Sequence, residues 1–344
     1  EAASVLVDAL AAGVVAGDVT PLSLASSFPT MARMAEQHGG LGQAMVAGMQ
    51  ARRAARKEAV ARRSRGEDVG ALVAPGGPAG PGGTLTSFRQ GLDRLPRALA
   101  VELGDVVRFG VESVAVRRRG VERSGSDGGG TGDAGPWEVS TTSGETIFAH
   151  AVVVAVPAPR AAPLLEAFDE QLASTVFEIP TAGLAVVALA LDSRAMGGAP
   201  DGFGFLVPRG EGIRTLGCLW DSSIFPGRAP EGSVLIRAMI GGAHDPEAVS
   251  EKEDHLVARV RDDLRTTMGL EAEPLFSRVY RWPLGIGQYT VGHESRLAEI
   301  HSRLSQNPGL WLAGSSFYGI SMNACIEKAR DQAGEILEFL RGAR

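Results

Sequence analysis

Leu310–Leu340, LWLAGSSFYGISMNACIEKARDQAGEILEFL, passes from an apolar strand through small residues into a helix with Cys325 near its start. A strand-to-helix junction of this kind lets a backbone approach a flat or anionic group closely. The first helical amides have no intrahelical partner, and the helix dipole is positive there. Working outward, Ala151–Val156 is a continuous apolar run, closed by Pro157 and Pro159. A run without alternation predicts a strand buried on both faces, as in parallel sheets.

The stretch from about 181 to 290 has a different character. LAVVALALD, GFGFLVP, TLGCLWDSS, VLIRAMIGG and LFSRVYRWP are β-rich segments bounded by Gly, Pro and Asp. One helix, roughly Asp245 to Met268, interrupts them. Together they predict a mainly antiparallel sheet with a helix packed on it. Its free face, lined by Leu, Met and Phe, suits a large apolar ligand. Before Ala151, WEVSTTSGETIFA reads as a hairpin and VVRFGVESVAVRR as one or two strands. RLPRALAVEL reads as a helix with Pro96 in its first turn and Leu95, Leu99 and Leu103 on one face. Residues 1 to about 65 read as helical, with Met31, Met34, Leu41, Met45 and Met49 forming one face. The basic stretch from Arg52 to Arg65 reads either as a solvated helix end or as a surface for a membrane or an anionic partner. The Pro/Gly loop APGGPAGPGG, residues 74–83, ends that helix.

The chain of 344 residues is long enough for two domains, or for one large domain with insertions. A formal net charge of −6 argues against nucleic-acid binding by the whole molecule. Two cysteines, Cys218 and Cys325, exclude a disulfide framework or a cysteine-based zinc site and fit a reducing compartment. No apolar run reaches the roughly 18 residues a spanning helix needs, and no signal peptide is read at the start. Gly130, Gly132 and Gly135 match the dinucleotide fingerprint formally. The true motif follows a strand and opens a helix, whereas this one lies between two strand-like segments, so it reads as a turn. The six histidines are scattered without metal-ligand spacing, and no metal site is expected. His293 reads as a structural, hydrogen-bonding residue. Asp221 reads as a turn or helix-cap residue rather than a catalytic acid. No side-chain constellation announces acid–base or covalent catalysis, so no catalytic residue is assigned. An enzyme of this composition would leave the chemistry to a cofactor.

Several segments together, in order, resemble one family. ALAAGVVAGDVTPLSLASSFPTM, LTSFRQGLDRLPRALAVELGD, GFGFLVP, LGCLWDSSIFPGRAPEG, MIGGAHDPE, YRWPLGIGQYTVGH and GSSFYGISMNACIEKA are similar to segments of the FAD-dependent protoporphyrinogen oxidases and coproporphyrinogen III oxidases, amine-oxidase-like flavoproteins. The resemblance covers almost the whole chain outside the Gly-rich insertions. It implies an α/β (α+β) fold: a discontinuous Rossmann-like FAD-binding domain, an antiparallel-sheet substrate domain and part of a helical membrane-associating domain. The family's N-terminal βαβ unit, with its Gly-rich FAD loop, is expected to precede Glu1. The boundaries implied are 1–83 for the helical domain and linker, 84–160 and 308–344 for FAD-binding segments, and 161–307 for the substrate domain.

The resemblance also implies roles. Val111 matches the position whose backbone meets the FAD adenine, and Trp282 matches a tryptophan near the flavin. Gly319, Ile320, Ser321 and Met322 match the junction that faces the flavin ring. Ala324 stands where many members carry Asp. For the tetrapyrrole, the pocket positions fall on Leu206, Leu219 and Met239, and Gly17 matches a loop that approaches substrate through its backbone. The implied reaction is hydride transfer from a methylene bridge of a porphyrinogen to FAD. Repeated rounds, with O2 reoxidising the flavin and releasing H2O2, yield protoporphyrin IX or coproporphyrin III in haem biosynthesis. The implied partners are the porphyrinogen, O2, a membrane surface bound peripherally, and a second copy in a homodimer. The implied location is the cytoplasm or the face of an inner mitochondrial, plastid or bacterial membrane. Two rival readings stand beside this one: another amine-oxidase-like flavoenzyme, such as an amine oxidase or carotenoid desaturase, and a cofactor-free remnant.

Overall fold

The computed structural model describes residues 3–65, 85–119 and 135–342. By its contacts the chain divides into two units, Glu1–Ser23 with Arg108–Arg344, and Leu24–Val107. The larger unit opens with a π-turn, Ala3–Val7, and helix α1, Asp8–Val15. The smaller unit is helical: α2 (Leu24–Ser27), α3 (Pro29–His38), α4 (Leu41–Ser64) and α5 (Arg94–Leu103).

One expectation for the smaller unit is corrected. The methionine face does not run through one helix, because Gly39 takes φ 74° and Gly40 φ 150°, which ends α3 before α4 begins. Left-handed backbone of this kind closes a helix and suits glycine. The side chains of Leu41 and Met45 lie outside the described residues. On α5, Leu99 and Leu103 are 53% and 54% exposed, so its leucine stripe meets no core within this unit. The basic stretch is helical up to Ser64, while the Pro/Gly loop, Gly130 and Gly132 lie outside the described residues.

In the larger unit β1 (Ser113–Arg118), β2 (Trp137–Thr141) and β3 (Thr146–Ala149) form an antiparallel three-stranded sheet. Next come β4 (Val152–Val154), α6 (Ala158–Leu165) and α7 (Glu170–Phe177). Pro157 precedes α6, where its missing N–H costs nothing. The Asp169 carboxylate caps α7 by accepting from the Leu172 amide at 2.9 Å. After these come β5 (Thr181–Asp192), β6 (Gly204–Leu206), β7 (Thr215–Leu219), α8 (Asp221–Ile224), β8 (Ser233–Gly241) and α9 (Glu253–Met268). The chain closes with β9 (Phe276–Gly287), α10 (His293–Ser305), β10 (Leu310–Leu312) and α11 (Met322–Gly342).

β10 pairs with β4 in parallel, bringing the chain's last strand beside the apolar run at 151–156. The parallel expectation holds, but burial on both faces does not. Val154 is 5% exposed and Val153 is 43% exposed, because the sheet has two strands here among the described residues. Leu165, Leu172, Ile300, Leu312 and Phe317 pack a core around this pair.

The antiparallel sheet runs in the order β6-β7-β8-β5-β9. Its strands read with period two. Ala185, Val187 and Leu189 of β5, with Val234, Ile236 and Ile240 of β8, are buried against Leu256, Val260 and Leu264 of α9. Burying each of the Val, Leu and Ile side chains among these stabilises the fold by roughly 1.5–3 kcal/mol. The intervening residues point to the opposite face. No described helix is long and apolar enough to cross a membrane.

Candidate functional site

The face of the five-stranded sheet away from α9 carries Leu206, Leu219 and Met239 of the expected substrate positions, and Trp282 of the expected flavin positions. Leu206, Gly217, Met239, Val186 and Tyr280 stand opposite one another in neighbouring strands and form one cross-strand row. Directly opposed residues share a face. One row along lie Leu219, Arg237, Ala188 and Arg278. In the other direction Leu184 faces Trp282. Leu206, Leu219, Met239 and Trp282 therefore stand together on one surface, on which Leu206 is 39% and Trp282 57% exposed. Gly217 adds no side chain to its row, and the Leu206 side chain lies over its α-carbon instead.

The Gly17 loop reaches the same surface. Ala16 is the one non-glycine residue among those described with positive φ, at 51°. Its carbonyl accepts from the Ala243 amide at 2.8 Å, just beyond the end of β8. Ala16 packs with Leu184, and Val186, Met239 and Ile286 close the cluster. Gly13 of α1 lies against the end of Leu206.

Two consecutive residues absent from the sequence expectations follow β9, one fastening the end of α1 and the Gly17 loop, the other the closing junction. Gln288 donates its side-chain amide to the Val15 carbonyl at 2.9 Å, and its oxygen lies beside Gly17. Tyr289 donates its phenol to the Ser315 carbonyl at 2.7 Å and accepts from the Gly319 amide at 2.8 Å. Burial pushes the Tyr289 phenol up to about 12, against the pull of the Gly319 amide, so the bridge stays protonated at neutral pH. Gly287 packs against Ser315 and Ser316, closer than most side chains would permit. The sequence signal for these residues was a polar–aromatic pair just after a glycine-containing strand, too common to single out.

At the junction itself Gly319 takes φ 112°, a conformation suited to glycine. Ser321 accepts from the Ala324 amide at 3.2 Å, and the Cys325 thiol donates to the Gly319 carbonyl at 3.3 Å. Ser321 and Met322 are exposed and Ile320 is half-buried. The first amides of α11 have no intrahelical acceptor. Val111 lies apart, 37% exposed ahead of β1, and no hydrogen bond or ring contact among the described residues joins it to the other positions.

His293 keeps the structural role expected of it: it is 1% exposed, stacks on Tyr289 at 4.0 Å and interacts with the Phe317 backbone, which pulls its pKa up against burial. Burial, then the Arg296 charge, lower its pKa to about 4. Two other expectations change. Asp221 does not cap a helix; its buried carboxylate pairs with Arg237 through two hydrogen bonds of 2.5 and 2.6 Å. Asp8, Asp18 and His244 come within 4.8 Å of one another despite their distance in sequence. Arg209 occupies the cluster, bonding Asp8 through two nitrogens and approaching Asp18 at 3.5 Å, so it clamps α1 to the loop after β6.

Residues 1–337 match the family described as flavin containing amine oxidoreductase. A chloroplastic protoporphyrinogen oxidase of Nicotiana tabacum is 30% identical over 97% of this chain and 59% of its own length. A coproporphyrinogen III oxidase of Bacillus subtilis is 26% identical over 97% of this chain and 64% of its own length. The crystal structure of an Exiguobacterium protein described as a protoporphyrinogen oxidase superposes with a TM-score of 0.73 at 21% identity. It covers 97% of this chain and 63% of that one. The chain thus spans about 60% of the length of the curated relatives it matches.

Proposed function

Because the chain belongs to the flavin containing amine oxidoreductases, we propose that it contributes the substrate surface and the ring-facing junction of an FAD-dependent porphyrinogen oxidase. The observation that carries the reading is the convergence of Gly17, Leu206, Met239 and Trp282 on one sheet face, with Gln288 holding the Gly17 loop and the adjacent Tyr289 holding the Gly319 junction. The names of the Nicotiana and Bacillus relatives support porphyrinogen as the substrate class.

The junction suits a flavin. The glycine backbone at φ 112°, the exposed Ser321 and Met322, and the Met322 and Asn323 amides ahead of the Ser321-capped Ala324 offer donors to a flat ring with electron-rich carbonyls. In this reading Gly319, Ile320, Ser321 and Met322 hold the ring edge, Trp282 flanks it, and Val111 meets the adenine. FAD, when bound, supplies the hydride acceptor, with O2 as the final oxidant. This chain's residues orient and desolvate. Leu206, Leu219 and Met239 give an apolar floor for the macrocycle, and the Gly17 backbone closes one edge. The absence of an acid–base dyad among the residues lining this face is compatible with a reaction that needs proximity more than proton transfer. We read 84–160 and 308–344 as the FAD-binding segments, 161–307 as the substrate domain, and 1–83 as helical domain and linker. Membrane association and a homodimer are proposals of the same standing.

The test is porphyrin fluorescence from protoporphyrinogen IX and from coproporphyrinogen III, in air, with the protein produced from its full reading frame and supplied with FAD. Emission faster than the autoxidation blank supports the reading. Bound flavin with no excess emission from either substrate overturns it.

A further inference from the structure

We propose that Arg237 and Arg278 recognise the carboxylate arms of the tetrapyrrole, an inference that rests on the porphyrinogen reading above. Both side chains stand on the open, apolar face of the five-stranded sheet. They flank Ala188 in one cross-strand row, Arg237 on β8 and Arg278 on β9. Two strand spacings put their backbones about 10 Å apart. The next row is the apolar one that contains Leu206, Met239 and Tyr280. A macrocycle lying on that row would extend its arms towards the two guanidiniums.

The two arginines are prepared differently. Arg237 gives Nε and one terminal nitrogen to Asp221, whose side chain is 8% exposed, while Arg237 itself is 44% exposed. Its other terminal nitrogen has no partner among the described residues. The buried carboxylate thus fixes the orientation of a guanidinium that still has a free donor edge. Arg278 has no carboxylate partner among the described residues and lies over the Tyr280 ring at 5.5 Å. Asp221 offsets the charge of Arg237, so the row keeps about one uncompensated positive charge. An arginine on an apolar surface recognises a planar anion through paired hydrogen bonds, and a charge-assisted bond is about twice as strong as a neutral one. The free acid and an uncharged ester of the same ring share the apolar surface and differ only in the arms, so they separate arginine recognition from floor packing.

The experiment titrates the full-length, FAD-supplied protein with coproporphyrin III and with its tetramethyl ester in the same detergent, following fluorescence quenching. Two variants are used. Arg278→Gln breaks no ion pair. Asp221→Asn with Arg237→Gln removes the guanidinium without stranding a buried carboxylate. Circular dichroism confirms that each folds. The expected result is that each variant weakens binding of the acid about tenfold or more, equivalent to about 1.4 kcal/mol, and changes ester binding less than twofold. Added salt should weaken the acid's binding to the wild type and leave the ester's unchanged. Equal effects on acid and ester, or no effect on either, overturn the assignment of the arginines and leave the porphyrinogen reading standing. Failure of the wild type to bind either ring overturns both.

Discussion

Tyr289→Phe removes one oxygen and keeps the ring. The stack on His293 at 4.0 Å survives, so packing loss is small. Two hydrogen bonds disappear: the phenol to the Ser315 carbonyl at 2.7 Å, and the Gly319 amide to the phenol at 2.8 Å. Both backbone groups are half-buried, so water can partly replace the phenol. The low end of the range therefore applies, about 1 kcal/mol per bond and about 2 kcal/mol together. For a domain somewhat larger than 200 residues this lowers Tm by roughly 4–8 °C. The bond to Gly319 also holds the junction against the sheet, so flavin affinity should fall with stability. Thermal melts with and without FAD measure both, and the FAD-induced rise in Tm should shrink in the variant. A variant that melts within 1 °C of wild type and keeps its full FAD shift would refute the view that this phenol organises the junction.

Other perturbations follow the same geometry. Gly319→Ala places a methyl 2.6 Å from the Ala324 Cβ at φ 112°, and should weaken FAD binding at least tenfold in an equilibrium titration. Gly13→Ala displaces the end of Leu206, because the new Cβ would overlap it; porphyrinogen KM should rise while the melt changes little. Leu264→Ala empties a fully buried site under α9 and should cost about 2–5 kcal/mol in denaturant unfolding, with little change in KM. His293 is held near pKa 4 in the fold against about 6.5 when unfolded. The unfolded chain binds the extra proton first, so stability is full above pH 6.5 and declines as pH falls towards 4. His293→Phe should flatten that limb by about 3 kcal/mol in pH-dependent unfolding.

What was legible in the sequence was what short-range periodicity encodes. The β-rich segments LAVVALALD and VLIRAMIGG, bounded by Gly, Pro and Asp, announced an antiparallel sheet with a helix packed on it, and the unbroken run at 151–156 announced a parallel strand. The exposure of Val153 could not be read, because it depends on how many strands lie alongside. The break between α3 and α4 was signalled by Gly39–Gly40 but masked by methionines at helical spacing on both sides. Gln288 and Tyr289 escaped detection because their partners lie 273 and 30 residues away, and no local pattern marks a contact at that distance. The Asp8–Arg209 clamp spans 201 residues and was hidden for the same reason.

The two-residue alternation of β8 has a consequence for how such a surface changes over generations. Val234, Ile236, Ala238 and Ile240 are committed to the interior. Leu235, Arg237 and Met239 face the other way, in the same strand, and are only half-buried. Substitutions at the second set can alter what the surface accepts without passing through an unfolded ancestor, while those at the first set are removed by the loss of the protein itself. One strand thus carries two independent records, and the character of the exposed face can drift along the odd-numbered positions while the even-numbered ones hold the scaffold still.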